Sequence, residues 1–533
     1  MVRAAAGARR PDLVVALVAL LSFPLFLYGL GNTYLWQDEA QTALLGRSVL
    51  RYGVPMVGQG TESLSAHMGA DAGLNGIYFQ ISWLQAYVAA VSSRLFGESS
   101  WSARVPFALA GWLCVPLIAW VVVRAGGSRT AARMAALLTA TSVPFIVCAR
   151  QSRYYALTAA AALLVAGTYA MVVERAELRR PIGLASASLA AASVLLVLSF
   201  DVTAMGILGI IAAHWMLVSG WSRRAAPFWM SWLAAVVVMV VWMALSLSAP
   251  MRHDNAGLAA MPNRVWHGTF FYAGQIDAYV VPLPLLALAV LALRGRTRPP
   301  TLLLGVFALG AIAGVLLSPY RFFRYIVPAL PFVFGLVSVA LAALAEKGRV
   351  ARIAAVAIVA LLATSTALHS LSHSLTGALA GSTGVITVRD RAVAVRVPFA
   401  DLLQELRDPP RGPIAAAIEY LARHARPDDV IVTTYGELPL KFHTTYKVYG
   451  GETAQLPLDG ERVRWIWPRH LKAYTSVRPA VEWVEGELAR ETYERIELRA
   501  IDRRWENRED PAEHVFTNPG PPGPPVVLYR ASE

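Results

Sequence analysis

The sequence predicts a polytopic α-helical membrane protein with a soluble α/β domain at its C-terminal end. Three observations carry that prediction. Of the 533 residues, 56% are hydrophobic and 16% charged, whereas a soluble globular chain is nearer a quarter charged. Apolar runs recur from Leu13 to about Leu371, each long enough to be read as a bilayer span. The remaining stretch has the mixed composition of an ordinary soluble domain. The expected division is a transmembrane module over residues 1–371 and an α/β domain over residues 372–533.

Charge divides along the same boundary. The net charge is +13, but residues 1–371 hold 27 Lys/Arg against 12 Asp/Glu, and residues 372–533 hold 21 against 23. The basic excess therefore belongs to the membrane part, where arginines orient loops. A nucleic-acid surface would need its basic patch on the soluble domain, so nucleic acid is not an expected partner. Cys114 and Cys148 both lie in apolar runs, which leaves the tail without a disulfide framework or a thiolate metal site. Arg9-Arg10 ahead of Leu13–Leu30 has the look of a signal peptide. No clean small-x-small cleavage site follows and more spans come after, so the run reads as a retained first helix.

Basic clusters punctuate the apolar runs at Arg3/Arg9/Arg10, Arg124/Arg129/Arg133, Arg175/Arg179/Arg180, Arg223/Arg224, Arg294/Arg296/Arg298 and Lys347/Arg349/Arg352. All are assigned to the cytoplasm. Between Arg10 and Arg124 the chain must leave and return, yet three apolar runs lie there: Leu13–Leu30, Gly76–Phe96 and Val105–Val123. Gly76–Phe96 is interrupted by Gln80, Ser82, Gln85, Ser92, Ser93 and Arg94. It reads as a helix in the interface plane, with Tyr78, Trp83 and Tyr87 at headgroup depth. About eleven spans remain, with the N-terminus inside and the tail outside. Most acidic residues of the membrane part then face outward: Asp38, Glu39, Glu62, Asp71, Glu98, Asp201, Asp254 and Asp277. A pump or carrier would bury some of them at mid-span; here they gather at one face.

In the tail, Pro413–Arg426 has helical spacing with Ile414, Ile418 and Leu421 on one face. Val430–Thr434, Arg462–Trp467 and Val526–Tyr529 read as strands, separated by turn-rich segments such as Pro427-Asp428-Asp429.

Three outward segments carry chemistry. Asp38-Glu39 follows Trp36 and precedes an amphipathic pattern (Ala43, Leu44, Leu45, Val49, Leu50). That places Asp38 at the start of a juxtamembrane helix, where a carboxylate can take a proton from an acceptor hydroxyl; adjacent carboxylates on a loop are also common without function. Arg150-Gln151-Ser152-Arg153-Tyr154-Tyr155 joins two spans and reads either as an interfacial aromatic belt or as a phosphate clamp, because guanidinium forks onto phosphate oxygens. Arg321-Phe322-Phe323-Arg324-Tyr325, leading to Pro328 and Pro331, offers the same pair of readings, with lipid headgroups as the plain alternative. His67 and Asp71 are loop polars or ligands, and Asp201 is a helix cap or a second site carboxylate. Trp465, Trp467, Arg469 and His470 of the tail are strand packing and surface, or acceptor contacts. A carboxylate pair alone is too little to argue for a divalent metal, and no other cofactor is implied.

These segments in this order resemble the GT-C-type glycosyltransferases. The acidic loop after the first helix, Leu95-Phe96-Gly97-Glu98, Arg104-Val105-Pro106, Arg153-Tyr154-Tyr155-Ala156-Leu157 and Arg324-Tyr325 with Pro328 and Pro331 carry the likeness over roughly residues 10–345. It is similar above all to bacterial relatives of protein O-mannosyltransferases and of lipid A aminoarabinose transferases. The resemblance implies direct, inverting transfer of a sugar from a polyprenyl-phosphate carrier to an acceptor glycan, lipid or protein, at the periplasmic face of a bacterial inner membrane. It gives Asp38 the role of base, supported by Glu39. It gives Arg153 and Arg324 to the donor phosphate; Arg150, Tyr154 and Tyr325 of the same two junctions are read with them as donor-phosphate candidates, and His67, Asp71 and Asp201, read from their own positions, are acceptor or accessory candidates. Two departures stand out. Thr158 occupies the place of a second aspartate, and Asp71-Ala72-Gly73-Leu74 stands where Lys-Pro or His-Pro-Pro is usual. A lipid-linked sugar flippase and a non-catalytic envelope component are the competing readings. A flippase would line a mid-bilayer path with polar groups, and the spans here are nearly free of charge.

Overall fold

A computed structural model describes residues 12–532, apart from 60–61, 220–224, 252–260, 294–298, 319, 370–396, 459, 471–474, 504–505, 509–513 and 515–522. The arginines at 3, 9 and 10, at 223 and 224, and at 294, 296 and 298, together with Asp254 and the 371/372 boundary, lie outside the described residues.

The membrane part is helical. Helix α1 (Leu13–Leu27) starts at Asp12, whose carboxylate accepts from the Val14 and Val15 amides at 3.0 and 3.4 Å, satisfying donors that the first turn leaves free. Helix α2 (Gln37–Tyr52) holds Asp38 and Glu39 in its first turn, where the helix dipole favours carboxylates. It stops at Gly53, whose φ of +79° suits glycine. The expected interfacial helix over Gly76–Phe96 is shorter than the sequence suggests, because only α3 (Leu84–Phe96) is helical. Between α2 and α3 the two-residue strands β1 (Gly58–Gln59) and β2 (Glu62–Ser63) pair antiparallel; positive φ at Asn75 and Gly76 then turns the chain, and Ile77 and Tyr78 bridge back to Met56 and Ala72. Tyr78 is buried, whereas Tyr87 is exposed.

Next come α4 (Ser100–Arg124), α5 (Arg129–Thr141) and α6 (Val143–Ala149), the last two bent by 63° at Ser142. They lead to α7 (Tyr154–Glu177), α8 (Gly183–Ser199), α9 (Asp201–Ser219) and α10 (Ala226–Ser246). Beyond these lie Met261–Tyr279, Leu283–Leu293, Pro299–Leu316, the 3-10 segment Phe323–Ala329, Leu330–Ala345 and Arg349–Thr364. Small residues let some of them meet backbone to backbone: a Cβ on Gly206 of α9 would come 2.0 Å from the Gly310 carbonyl oxygen. Among the described residues, four helices are long and apolar enough to cross a membrane, up to six if each bent pair is one span, and four more are shorter and apolar.

The two ends of this bundle differ chemically. Arg124 closes α4 beside Glu174 near the end of α7, 3.8 Å away, whereas the start of α7 meets α2 at Asp38. A 24-residue helix is about 36 Å long. The Arg124 and Arg175–Arg180 segments are thus a helix length away from Asp38.

The tail is an α/β domain. Its sheet runs β4–β3–β5–β7–β6, from β3 (Val430–Thr433), β4 (Lys447–Gly450), β5 (Val463–Trp467), β6 (Tyr493–Ile501) and β7 (Pro525–Ala531). Strand β3 pairs in parallel with β4 and β5, and β7 is antiparallel to β5 and β6. Side chains alternate across β3. Ile431 packs with Ile414, Ala417, Ile418 and Leu421 of the Pro413–His424 helix, and Val430 and Val432 pack with Val484 of the Arg478–Arg490 helix. The three strands expected from sequence are present; β4 and β6 flank them.

This domain grips the loops on both sides of α2. Trp36 is buried in the tail's own core beside Ile431, Trp465 and Trp467. The Leu35 amide donates to His443 Nε2 (3.1 Å), the Asn507 side chain to the Tyr34 carbonyl (2.7 Å), and Lys441 Nζ to the Ser63 carbonyl (2.8 Å).

Candidate active site

Asp38 is the point where three segments meet: the start of α2, the α6–α7 junction and the Phe323–Ala329 turn. One of its carboxylate oxygens, Oδ2, lies 3.6 Å from Arg153 Nη2 and 3.5 Å from Arg324 Nη2. Arg153 is the N-cap of α7, and Arg324 sits in the Phe323–Ala329 turn, so two distant segments present cations to one carboxylate. Arg153 Nη1 also donates to the Asp38 carbonyl (3.2 Å) and to Thr42 Oγ1 (3.3 Å). The Arg324 guanidinium stacks 4.1 Å from the Phe322 ring centre and 5.6 Å from that of Trp36, contacts a delocalised cation favours. The ion pairs are longer than direct charge-assisted hydrogen bonds. Asp38 is thus oriented by charge while its side chain remains 19% exposed.

Glu39 points elsewhere. It is buried and forked onto Arg104, with Nε to Oε1 at 2.8 Å and Nη2 to Oε2 at 2.6 Å, and it accepts from the Ser152 amide at 2.8 Å. Arg104 further donates to the carbonyls of Leu30, Thr33 and Tyr34 at 2.8–3.0 Å. The pair ties α4, the loop before α2 and the α6–α7 junction together, and so fixes Asp38 and Arg153 relative to one another.

Other sequence candidates divide in the same way. Arg150 donates to the carbonyls of Leu25, Phe26 and Tyr28. It caps the C-terminal end of α1 and is not brought to Asp38. Tyr154 stacks on Phe200 at 4.3 Å, and Tyr325 packs 5.9 Å from the same ring. Asp201 begins α9, accepting from the Val202 amide and from Trp242 Nε1, both at 3.1 Å. Trp242 in turn packs on Phe79 and Trp83, so Asp201 helps seat the loop before α3. Asp71 is fully buried, accepting from Ser65 Oγ and from the Ala66 amide. Burial raises its carboxyl above the ordinary value. His67 meets the Gln80 side chain at 2.5 Å. Burial lowers its imidazole pKa, against the pull of the Asp71 and Asp38 charges. Of these residues His67 and Tyr325 have both Asp38 and Arg153 among their electrostatic neighbours.

The tail contributes residues that the sequence did not single out. Gln37 Nε2 donates to Glu437 Oε1 at 2.7 Å and to Glu452 Oε2 at 3.2 Å. Burial raises both carboxyls, and in Glu452 the Glu437 and Asp38 charges add to the effect. His443, buried near Arg104 and Arg47, is pushed down to about 3 and so accepts from Leu35 as a neutral ring. Trp465 and Trp467 are tail core. Arg469 is buried between Asp502 (2.5 Å) and Glu506 (3.1 Å). Among the described residues no three His, Cys, Asp or Glu side chains gather as a metal-holding group.

No protein-family model matches the sequence, and no curated protein matches it. Solved structures do. ArnT from Cupriavidus metallidurans in the apo state is similar at a TM-score of 0.56 and 16% identity, covering 97% of both chains. Its complex with undecaprenyl phosphate gives 0.54 and 16%, again over 97% of both. The chain has an ArnT-like membrane fold. A more distant likeness is to the archaeal oligosaccharyltransferase AglB from Archaeoglobus fulgidus, in complex with an inhibitory peptide and a dolichol-phosphate. There the TM-score is 0.50 and the identity 12%, over 92% of this chain and 74% of that one. These structural neighbours are GT-C family membrane glycosyltransferases. The ArnT-like match runs through the tail as well as the bundle, which fits the way the tail is locked onto the loop before α2.

Glu437 and Glu452 lacked a local signal because they are 400 and 415 positions from Gln37. Arg104 carried one: an arginine at the start of an apolar helix needs an anion.

Proposed function

We propose that this protein is a glycosyltransferase that moves a sugar from a polyprenyl-phosphate donor to an acceptor hydroxyl at the periplasmic face of a bacterial inner membrane. About eleven spans, an inside N-terminus and an outside tail belong to this reading. The observation that carries it is one carboxylate oxygen of Asp38 facing both Arg153 and Arg324. Its support from known structures is an ArnT-like fold, in a family where one relative holds undecaprenyl phosphate and another a dolichol-phosphate.

The chemistry follows from that geometry. The acceptor oxygen attacks the anomeric carbon as the carbon–oxygen bond to phosphate breaks, so one displacement inverts the centre. Asp38 takes the acceptor proton as general base. The bond pair leaves with the polyprenyl phosphate, where Arg153 and Arg324 stabilise the growing negative charge. A donor phosphate competes with Asp38 for the two guanidinium groups, and its arrival frees the carboxylate to receive the proton. Glu39 acts as a positioning residue through Arg104 and the Ser152 amide, and Arg150 as a helix cap. The Gln37–Glu437–Glu452 contact holds the tail over the acceptor side.

Purified protein reconstituted with candidate polyprenyl-phosphate sugars and acceptors should release polyprenyl phosphate in step with acceptor glycosylation. Movement of the intact lipid-linked sugar across the bilayer without release would instead establish the flippase.

A further inference from the structure

The α6–α7 junction holds more polar atoms than its own contacts use. Ser152 Oγ, Arg153 Nε and the Tyr155 hydroxyl are all buried without a hydrogen-bond partner among the described residues. Tyr155 is fully buried in the first turn of α7, and Arg324, Arg153 and Asp38 are the charged groups that act most strongly on its hydroxyl. Its neighbour Tyr154 serves packing, stacked on Phe200 and under the Arg153 guanidinium. A buried hydroxyl left unpaired costs folding stability, and phenylalanine would fill the same space without that cost. An unpaired donor beside two arginines is therefore explained by an acceptor that arrives with the substrate.

We propose that the Tyr155 hydroxyl donates a hydrogen bond to a non-bridging oxygen of the donor's phosphate, completing with Arg153 and Arg324 a three-sided grip on that group. This rests on the donor reading given above. Two guanidinium groups supply charge in planar forks. A phenol supplies a single directed donor from a rigid ring, which fixes the rotation of the phosphate and hence the line along which it leaves. Tyr155 thereby contributes to recognition of the leaving group, whichever sugar is attached.

The test is Tyr155→Phe in nanodiscs, with undecaprenyl phosphate as the probe and the uncharged undecaprenol as its control. A hydrogen bond to a charged acceptor predicts that phosphate-lipid affinity falls about 10- to 100-fold. Undecaprenol binding should not change, and the unliganded protein should unfold at the same temperature or higher. Equal loss for both lipids would mean that the substitution disturbs packing, and would overturn the proposal. So would unchanged undecaprenyl phosphate affinity while Arg324→Ala weakens it, a result that leaves the donor reading intact. Failure of the wild-type protein to bind undecaprenyl phosphate would remove both.

Discussion

The Glu39–Arg104 pair gives the most demanding test of how this site is built. Both side chains are almost fully buried, at 1% and 6% exposure. Arg104 makes two charge-assisted bonds to Glu39 and reaches three backbone carbonyls. Arg104→Met leaves the Glu39 carboxylate with the Ser152 amide but no cation, and leaves the carbonyls of Leu30, Thr33 and Tyr34 without this donor. Breaking a buried pair by removing one partner costs about 3–5 kcal/mol. Replacing both partners by apolar residues is often nearly neutral, so Arg104→Met with Glu39→Leu should recover most of that loss. The geometry would not return with it, because Asp38 is the next residue and the Ser152 amide precedes Arg153. Chemical denaturation in mild detergent measures the stability, and sugar transfer measures the geometry. The expected pattern is an unstable single variant, together with a stable double variant of low transfer activity. A single variant that loses under about 1 kcal/mol, or a double variant with wild-type turnover, would refute the role given to this pair.

Arg153→Ala and Arg324→Ala should each lower turnover about 100-fold or more and weaken donor binding; wild-type donor kinetics in both would return these arginines to an interfacial belt. Glu437 and Glu452 are raised above the ordinary value of 4.5 by burial. Their contribution to tail docking is therefore full below that value and is lost as pH rises through the elevated ones. Glu452→Gln should flatten the fall in thermal stability on the alkaline side and gain on the order of 1 kcal/mol at neutral pH, whereas an unchanged pH slope would count against a protonated clamp. Compartment-specific reporters fused after Arg180 and after Glu533 should report opposite sides of the membrane, inside and outside respectively. The same side for both would overturn the proposed topology.

How much was legible in the sequence follows physical range. Apolar runs and the segregation of charge declare themselves locally, and the described apolar helices follow those runs. Asp38 stands at the head of a helix because carboxylates suit a first turn and the apolar spacing of Ala43, Leu44 and Val49 follows. The strands β3, β5 and β7 are buried apolar runs and were visible for that reason. Strand β6, Tyr493–Ile501, alternates Glu and Arg at a sheet edge, and β4 is four residues long, so neither stood out. Partnerships were the hidden part. Nothing near Glu39 announces Arg104, 65 positions on, and nothing near Gln37 announces the tail carboxyls. Arg150 and Arg153 look equivalent as letters. One faces the carbonyls at the end of α1 and the other faces Asp38, a difference set by the bend between α5 and α6 and the turn into α7.

The most direct measurement is sugar transfer by Asp38→Asn. The amide keeps the shape of the carboxylate but cannot accept the acceptor proton as a base. Turnover measured as released polyprenyl phosphate should fall to background, while membrane insertion, the unfolding midpoint and undecaprenyl phosphate binding persist. Full transfer activity in Asp38→Asn would contradict the assignment of Asp38 as the base.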